Sequence, residues 1–562
     1  MNKSDVIIIG GVAAGPKTAA TVARRRPHLK ITLFEKGRHI SFGTCGLPYF
    51  ASGDISSFEE LTVTSYGIPR DIDFFRKTKR VEVVTGAEVI EIDRENKRVR
   101  VQMTQSGQII EHGYSHLVIA TGASPAKAPF PVPESNRISH FTRPEDAINF
   151  RQLAQTGQIG KAVIIGGGFI GCELAEAAGS MWGIETILIE KEAQLLPYIL
   201  DPEMAEIARR ELKRNDIEVM TGRTVENISL DESGNPVVKI HDGDSISADY
   251  VFLCLGVRPN VELAMKCGLN TGETGAIIVN DRMQTSDPFI YAGGDCVESV
   301  NLVTGGKMYI PMGSLANRHG RVIAENIAGG DCVFSGATGA FLVKMFETNV
   351  GAVGVTMTAA RKAGLKAREL WGSFVDHPDY YPETKSITLK LVYNEENQRL
   401  LGLQAVGKGD IFRRIDVFSS FLSRQARIDD LFDFEPGYAP PYAEALDPLH
   451  HLAAMAKAQQ RGVNFVNPCN EIENKDAIWL DIREPEEIAD APWPVIAGDE
   501  DNKYICVPLN DLRDNLDRLN RDKEIMIVCR RGPRSYQAAL ILKNEGFKNV
   551  YIISGGTQAA LS

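Results

Sequence analysis

The chain carries one strand–turn–helix grammar twice, and that repetition restricts its fold more than any other feature. Residues 5–15 read DVIIIGGVAAG, a short β-branched run, a glycine turn and then a helical pattern through Arg25. Gly10 makes the turn and Gly15 lets the helix pack closely. The following strand pattern, KITLFEK, ends in Glu35, twenty residues after Gly15. An acid there can bind a ribose hydroxyl. Val12 takes the place of the motif's second glycine. The second copy is complete: KAVIIGGGFIGCELAEAA sets Gly166, Gly168 and Gly171 between an apolar strand and an Ala-rich helix. Glu190 ends the next strand, ETILIEK, nineteen residues after Gly171. Each copy predicts a βαβ unit that holds a dinucleotide pyrophosphate at a helix N-terminus. Glu190 favours a free ribose 2′-hydroxyl, hence NADH, while Lys191 beside it leaves NADPH open. Cys172, on the motif helix, is expected in the core.

A chain of 562 residues is long enough for about three to four domains. Its net charge of −11 argues against nucleic acid or an anionic membrane as the main partner. Nine cysteines lie scattered, with no CxxC pair and no Cys/His zinc spacing, which fits a reducing cytoplasm and no metal site. The first residues are apolar only from Val6 to Ile9, too short for a signal segment. No run approaches the ~18 apolar residues of a membrane span.

Two dinucleotide units imply two nucleotides, commonly one flavin and one nicotinamide. HLVIATGASP brings Thr121 and Gly122 to the end of an apolar strand, where backbone can approach a ligand closely. TSDPFIYAGGDC places Asp295 after a strand and two glycines, where a carboxylate can accept from a ribityl hydroxyl. Ahead of both lies SFGTCGLPY, residues 41–49, with Cys45 flanked by Gly43 and Gly46. Such a turn can present a thiol at the start of a helix, where backbone N–H groups favour a thiolate. Near the C-terminus, KEIMIVCRRGPRSYQAALIL predicts a strand ending at Cys529, a six-residue loop, and a helix from about Ser535. The loop can wrap its amides around the sulfur, and Arg530, Arg531 and Arg534 with the helix N-terminus add positive potential. That setting stabilises a persulfide anion. Cys469 and Cys506 lack basic neighbours in sequence and read as structural.

The order of these motifs resembles the flavin-dependent disulfide reductase superfamily. SFGTCGLPY is similar to its single-cysteine branch of coenzyme A disulfide reductases, NADH oxidases and NADH peroxidases, since a CxxxxC pair is lacking. AIWLDIREPEE and the Cys529 stretch resemble the rhodanese sulfurtransferase fold. Together they resemble fused coenzyme A disulfide reductase–rhodanese proteins, which include NADH-dependent persulfide and polysulfide reductases. The resemblance implies an α/β chain of two Rossmann-like FAD- and NAD(P)-binding domains, an α+β dimerisation domain and a C-terminal α/β rhodanese domain. The expected boundaries are FAD-binding 1–150 and 246–330, NAD(H)-binding 151–245, dimerisation 331–446, a helical linker 447–465 and rhodanese 466–562.

The same resemblance implies FAD, NADH and coenzyme A as cofactors, a homodimer, and small thiols, persulfides or polysulfide as partners. It places Tyr438, in YAPPY, on a loop that reaches the partner subunit's active site, and a tyrosine of the YYP sequence near the thiol. Tyr380 is preferred over Tyr381. A phenol there can donate a proton to a departing sulfur or orient a thiolate. Coenzyme A phosphates are expected at Arg24 and Lys77, with Thr21 and Ser41 as weaker contacts, and Arg530 and Arg534 are expected at the sulfur donor. Thr44 stands where the family commonly has asparagine. Between the two rhodanese motifs the usual His-Ile-Pro-Gly-Ala-like segment is replaced by DAPWPVIAGDEDNKYICVPLNDL. Three other readings stay open. One is an NADH oxidase or peroxidase cycling through a Cys45 sulfenic acid. The second is a rhodanese domain acting only as sensor or docking module. The third is reduction of polysulfide without a carrier thiol.

Overall fold

The computed structural model describes residues 2–241, 243–467, 477–492 and 504–561. The chain divides into two compact units, residues 1–193 with 212–337, and residues 194–211 with 338–562.

The first unit is built on two parallel sheets. Strand Asn2–Ile9 runs between Ile31–Glu35 and Ile109–Ile119. Val81–Thr85 extends one side, and antiparallel Arg98–Met103 and Ala87–Asp93 extend the other. Val6, Ile7 and Ile8 are fully buried, as an unbroken apolar run requires in a parallel strand covered on both faces. Strand Ile290–Ala292 also pairs with Ile109–Ile119. The register sets Ile9 and Ala292 both beside Ile119. The turns carrying Gly10, Thr121 and Asp295 therefore leave the same edge of the sheet. Helix Ala14–Arg25 crosses helix Gly313–Ile327 so closely that a Cβ on Gly320 would lie 2.7 Å from the Ala14 carbonyl oxygen. The second sheet orders Glu218–Thr221, Glu185–Glu190, Lys161–Ile165, Tyr250–Leu253 and Ile138–Ser139, all parallel. Ile165 lies beside both Ile189 and Leu253, which brings Gly166 and Glu190 to one edge.

The second unit contains an antiparallel sheet ordered Phe341–Met345, Thr348–Gly354, Leu400–Gly407, Ser386–Asn394 and Ala367–Val375. Helix Phe412–Ser423 covers it, and helix Pro448–Gln460, expected as a connector, buries Leu452, Ala453 and Ala456 completely. A parallel sheet follows, ordered Asn464–Val466, Val550–Ile553, Ile525–Val528, Ile478–Asp481 and Tyr504–Cys506. Among the described residues, no helix is long and apolar enough to cross a membrane, and no cluster of His, Cys, Asp and Glu is arranged to hold a metal.

Candidate active sites

The two glycine turns are built alike. Gly10 has φ +108° and Gly166 φ +112°, a region that L side chains avoid. A Cβ on Gly10 would come 2.1 Å from the Ala120 carbonyl oxygen, and one on Gly166 would come 2.2 Å from that of Cys254. Gly15 and Gly171 press the helices onto the turns, with 1.9 and 2.0 Å from such a Cβ to the Gly10 and Gly166 carbonyl oxygens. Gly168 differs, since a Cβ there meets nothing within 4 Å. This is open room for a pyrophosphate to reach the backbone. Glu35 accepts the Gly11 amide at 2.6 Å and the Gly37 amide at 2.7 Å. Glu190 accepts the amides of Gly167 at 2.6 Å and Glu192 at 2.8 Å. These bonds pin each carboxylate at its strand end, while an ionised carboxylate retains capacity for a ribose hydroxyl. Burial pushes the Asp295 carboxyl up to about 6, against a hydrogen bond from the Met312 backbone, so a hydroxyl donor beside it would be favourable. Thr121 spends its hydroxyl on the Asn260 carbonyl at 2.8 Å, and Gly122, at φ +67°, faces open space. The cradles fit a dinucleotide at each sheet edge.

Cys45 is exposed, on the turn Thr44–Gly46 that enters helix Leu47–Ser52. The expectation of a thiolate-favouring helix start is not met. Partial burial raises the thiol, Glu173 and Asp295 raise it further, and a backbone hydrogen bond offsets this only in part. Burial leads, and two acids from distant segments add to it, so that together they outweigh the local backbone bond. Glu173 is itself held up to about 7 by burial, against a hydrogen bond from Tyr49, whose hydroxyl donates to it at 3.4 Å. Burial and Glu173 push the Tyr49 phenol up to about 12. Sequence reasoning missed both residues, although Tyr49 follows Cys45 by four positions and Glu173 lies on the motif helix. Cys172 is fully buried, as expected.

Among the expected phosphate contacts, Arg24 donates to the Thr21 hydroxyl at 3.1 Å, so these two residues act together. Lys77 is paired with Asp73 at 2.9 Å. Ser41 has φ +49° and ties its own amide to the Gly11 carbonyl at 2.8 Å.

In the second unit, Tyr380 is 74% exposed and its phenol is held up by a hydrogen bond with Tyr438. Tyr381 instead packs edge-on against His377, with ring centroids 5.6 Å apart. Tyr380 is thus the tyrosine that meets Tyr438. Cys529 follows strand Ile525–Val528, is 1% exposed, and receives the Gly532 amide on its sulfur at 3.0 Å. The helix begins at Pro533, two residues earlier than Ser535. The expected ring of arginines is altered, because nearby carboxylates bind two of them. Glu487 takes both amino groups of Arg534, at 2.6 and 2.7 Å, and that bonding pulls Glu487 down to about 2. Asp379 takes Arg531. Arg530 is exposed. The Ser535 hydroxyl is buried and finds no hydrogen-bond partner among the described residues. Cys506 is exposed; burial and Asp481 raise its thiol, and of the arginines near it in space, Arg483 and Arg518, the first is bound to Asp481. Cys469 and most of the substituted segment before Tyr504 lie outside the described residues.

Comparison with known proteins defines the class. The pyridine nucleotide-disulphide oxidoreductase family matches residues 4–309, its dimerisation domain residues 341–450, and the rhodanese-like domain residues 470–561. The chain belongs to the pyridine nucleotide-disulphide oxidoreductase family, as an FAD- and NAD(P)H-dependent oxidoreductase with a fused rhodanese domain. A CoA-dependent NAD(P)H sulfur oxidoreductase from Pyrococcus abyssi is 35% identical over 456 residues, covering 81% of this chain and 98% of that protein. Two solved structures span the whole of this chain. An NAD-dependent persulfide reductase from A. fulgidus has TM-score 0.92 and 39% identity, over 100% of both chains. The reduced CoADR-RHD of Bacillus anthracis has TM-score 0.91 and 30% identity, over 98% of that chain.

Proposed function

We infer that the chain is an NADH-dependent reductase of coenzyme A persulfide, able also to take polysulfide or coenzyme A disulfide, and fed by its own rhodanese domain. One observation carries this: the chain that presents Cys45 beside Glu173 and Asp295 also holds a second thiol, Cys529, under the Gly532 amide. An enzyme of peroxide chemistry has no use for the second. The names of the similar proteins support the same reading.

Bound FAD and NADH supply the electron pair that reduces sulfur at Cys45. Gly10, Gly15, Glu35, Thr121, Gly122 and Asp295 hold the first nucleotide, and Gly166, Gly168, Gly171 and Glu190 the second. The Cys45 thiolate attacks the carrier-side sulfur of the persulfide. The sulfur–sulfur bond breaks, hydrosulfide leaves, and a Cys45–coenzyme A mixed disulfide remains. One electron pair and one proton then return Cys45 to thiolate and the carrier to thiol. A lone cysteine has no resolving partner, so this pair must come from the cofactors. Arg24 with Thr21, Lys77 released from Asp73, and Ser41 bind the carrier's phosphates. In a homodimer, Tyr380 and Tyr438 of one subunit give a proton to the sulfur departing in the other. Cys529 takes sulfane sulfur, with Arg530 drawing in the anionic donor and Arg534 set behind it.

Stoichiometry tests the reading. Under anaerobic conditions, coenzyme A persulfide should yield one sulfide per NADH, and coenzyme A disulfide should yield none while still oxidising NADH. NADH oxidation by the persulfide without sulfide release contradicts it.

A further inference from the structure

One guanidinium joins the Cys529 loop to the tyrosine loop. Arg531 donates from Nη1 and Nη2 to the two carboxylate oxygens of Asp379, at 3.0 and 3.3 Å, and from Nε to Gln558 at 3.3 Å. Both ends of the link are held firmly. On one side, the Thr557 amide donates to the Cys529 carbonyl at 2.9 Å and the Gln558 amide to that of Arg530 at 3.0 Å. On the other, Asp379 lies in the connection between strands Ala367–Val375 and Ser386–Asn394. That connection is cross-tied. Asp376 accepts the Lys385 amide at 2.9 Å, and the Pro378 carbonyl accepts the Tyr381 amide and the Thr384 hydroxyl, each at 2.9 Å. Buried Arg414 anchors it through the Asp376 carbonyl at 3.1 Å. Tyr380, next to Asp379, is the partner of Tyr438.

Stability does not call for this pair. Arg531 is 22% and Asp379 65% exposed, and so open an ion pair adds little to stability. It does fix geometry, and it removes one arginine from the ring around the sulfur. Resting on the function inferred above, we propose that Asp379 is a positioning residue for sulfur hand-over: through Arg531 it sets the mouth of the Cys529 loop against the tyrosine loop, so that a carrier thiol loaded at Cys529 is delivered before it equilibrates with solvent. In the hand-over, the carrier thiolate attacks the outer sulfur of the Cys529 persulfide. That sulfur–sulfur bond breaks, Cys529 leaves as thiolate, and the carrier departs as persulfide. No oxidant or reductant is consumed.

Three rates of the full-length holoenzyme test this: thiosulfate-to-cyanide sulfur transfer, NADH oxidation by preformed coenzyme A persulfide, and NADH oxidation driven by thiosulfate with catalytic coenzyme A. Asp379→Asn should leave the first two within about twofold and lower the third at least fivefold, and Asp379→Glu should restore it. A coupled rate that falls no further than the slower half-reaction overturns the proposal, as does failure of Asp379→Glu to rescue. If wild type does not reduce preformed persulfide, the reductase reading fails, and amide exchange then judges the latch. Arg531→Gln should speed exchange over residues 378–384, and unchanged exchange there overturns it.

Discussion

Replacing Lys390 with methionine removes the cation from a buried group of carboxylates. Lys390 is 1% exposed, and its Nζ lies 2.9 Å from Asp201, 2.8 Å from Glu369 and 3.3 Å from Glu203. Burial disfavours the ammonium, but the three acids prevail and hold its pKa above the ordinary lysine range. Burial likewise disfavours the Asp201 carboxylate, but Lys390, the Gln404 amide and the Met357 N–H hold it below the usual range. The raised lysine contributes fully below its unfolded pKa, and that contribution fades only as pH rises through the folded value. The lowered aspartate contributes fully above its unfolded pKa and fades only as pH falls through the folded value. Wild-type stability from this cluster is therefore flat between about pH 5 and 9. Methionine fills the space of the lysine stem, so the loss is electrostatic. Breaking a buried pair costs about 3–5 kcal/mol, which in a unit of about 240 residues is a fall in thermal midpoint of about 6–20 °C. The carboxylates left in Lys390→Met repel one another, so their folded pKa values rise and protonation relieves the strain. The deficit should shrink as pH drops from 8 to 5.5. Thermal scans of the holoenzyme at one scan rate measure both effects. A fall below about 3 °C, or a deficit that grows on acidification, refutes the reasoning.

Gly15→Ala brings a methyl 1.9 Å from the Gly10 carbonyl oxygen, so the variant should purify with less bound flavin and a lower melting temperature, read by flavin absorbance and a thermal scan. Gly171→Ala should likewise lose stability, whereas Gly168→Ala, with nothing within 4 Å, should fold normally and raise KM for NADH. In Glu173→Gln the Cys45 thiolate forms at lower pH. Iodoacetamide should therefore alkylate the reduced variant faster than wild type above pH 7, by about threefold, and equally below pH 6, where Glu173 is protonated in wild type. A slower variant contradicts this. Glu487→Gln frees Arg534 and should lower KM for thiosulfate about twofold with little change in melting temperature. An unchanged or higher KM rejects that role for Arg534.

The nucleotide cradles were legible because their chemistry is local. A turn at φ +108° or +112° that faces a carbonyl at about 2 Å admits only glycine, and an acid at the end of the next strand must face that turn. The Cys529 loop was legible for the same reason, since Gly532 delivers its amide within three residues of the sulfur. What the pattern did not show arises from tertiary pairing. Burial of Cys45, with Glu173 and Asp295 reaching it from segments far along the chain, outweighs the local backbone hydrogen bond. Glu487 and Asp379 withdraw two of the loop arginines, and no spacing rule connects them. Lys390 sits within SITLKLVYN, where a lysine in a strand reads as a solvent face; three acids brought from elsewhere keep it buried.

In the proposed mechanism, sulfur–sulfur reduction passes through Cys45. The direct test is anaerobic NADH oxidation by wild type and Cys45→Ser, with coenzyme A persulfide and hydrogen peroxide compared at equal concentration. Persulfide should be reduced faster than peroxide with release of sulfide, and Cys45→Ser should lose at least a hundredfold in that rate while keeping its flavin. A faster peroxide rate, or full persulfide activity in Cys45→Ser, contradicts the account.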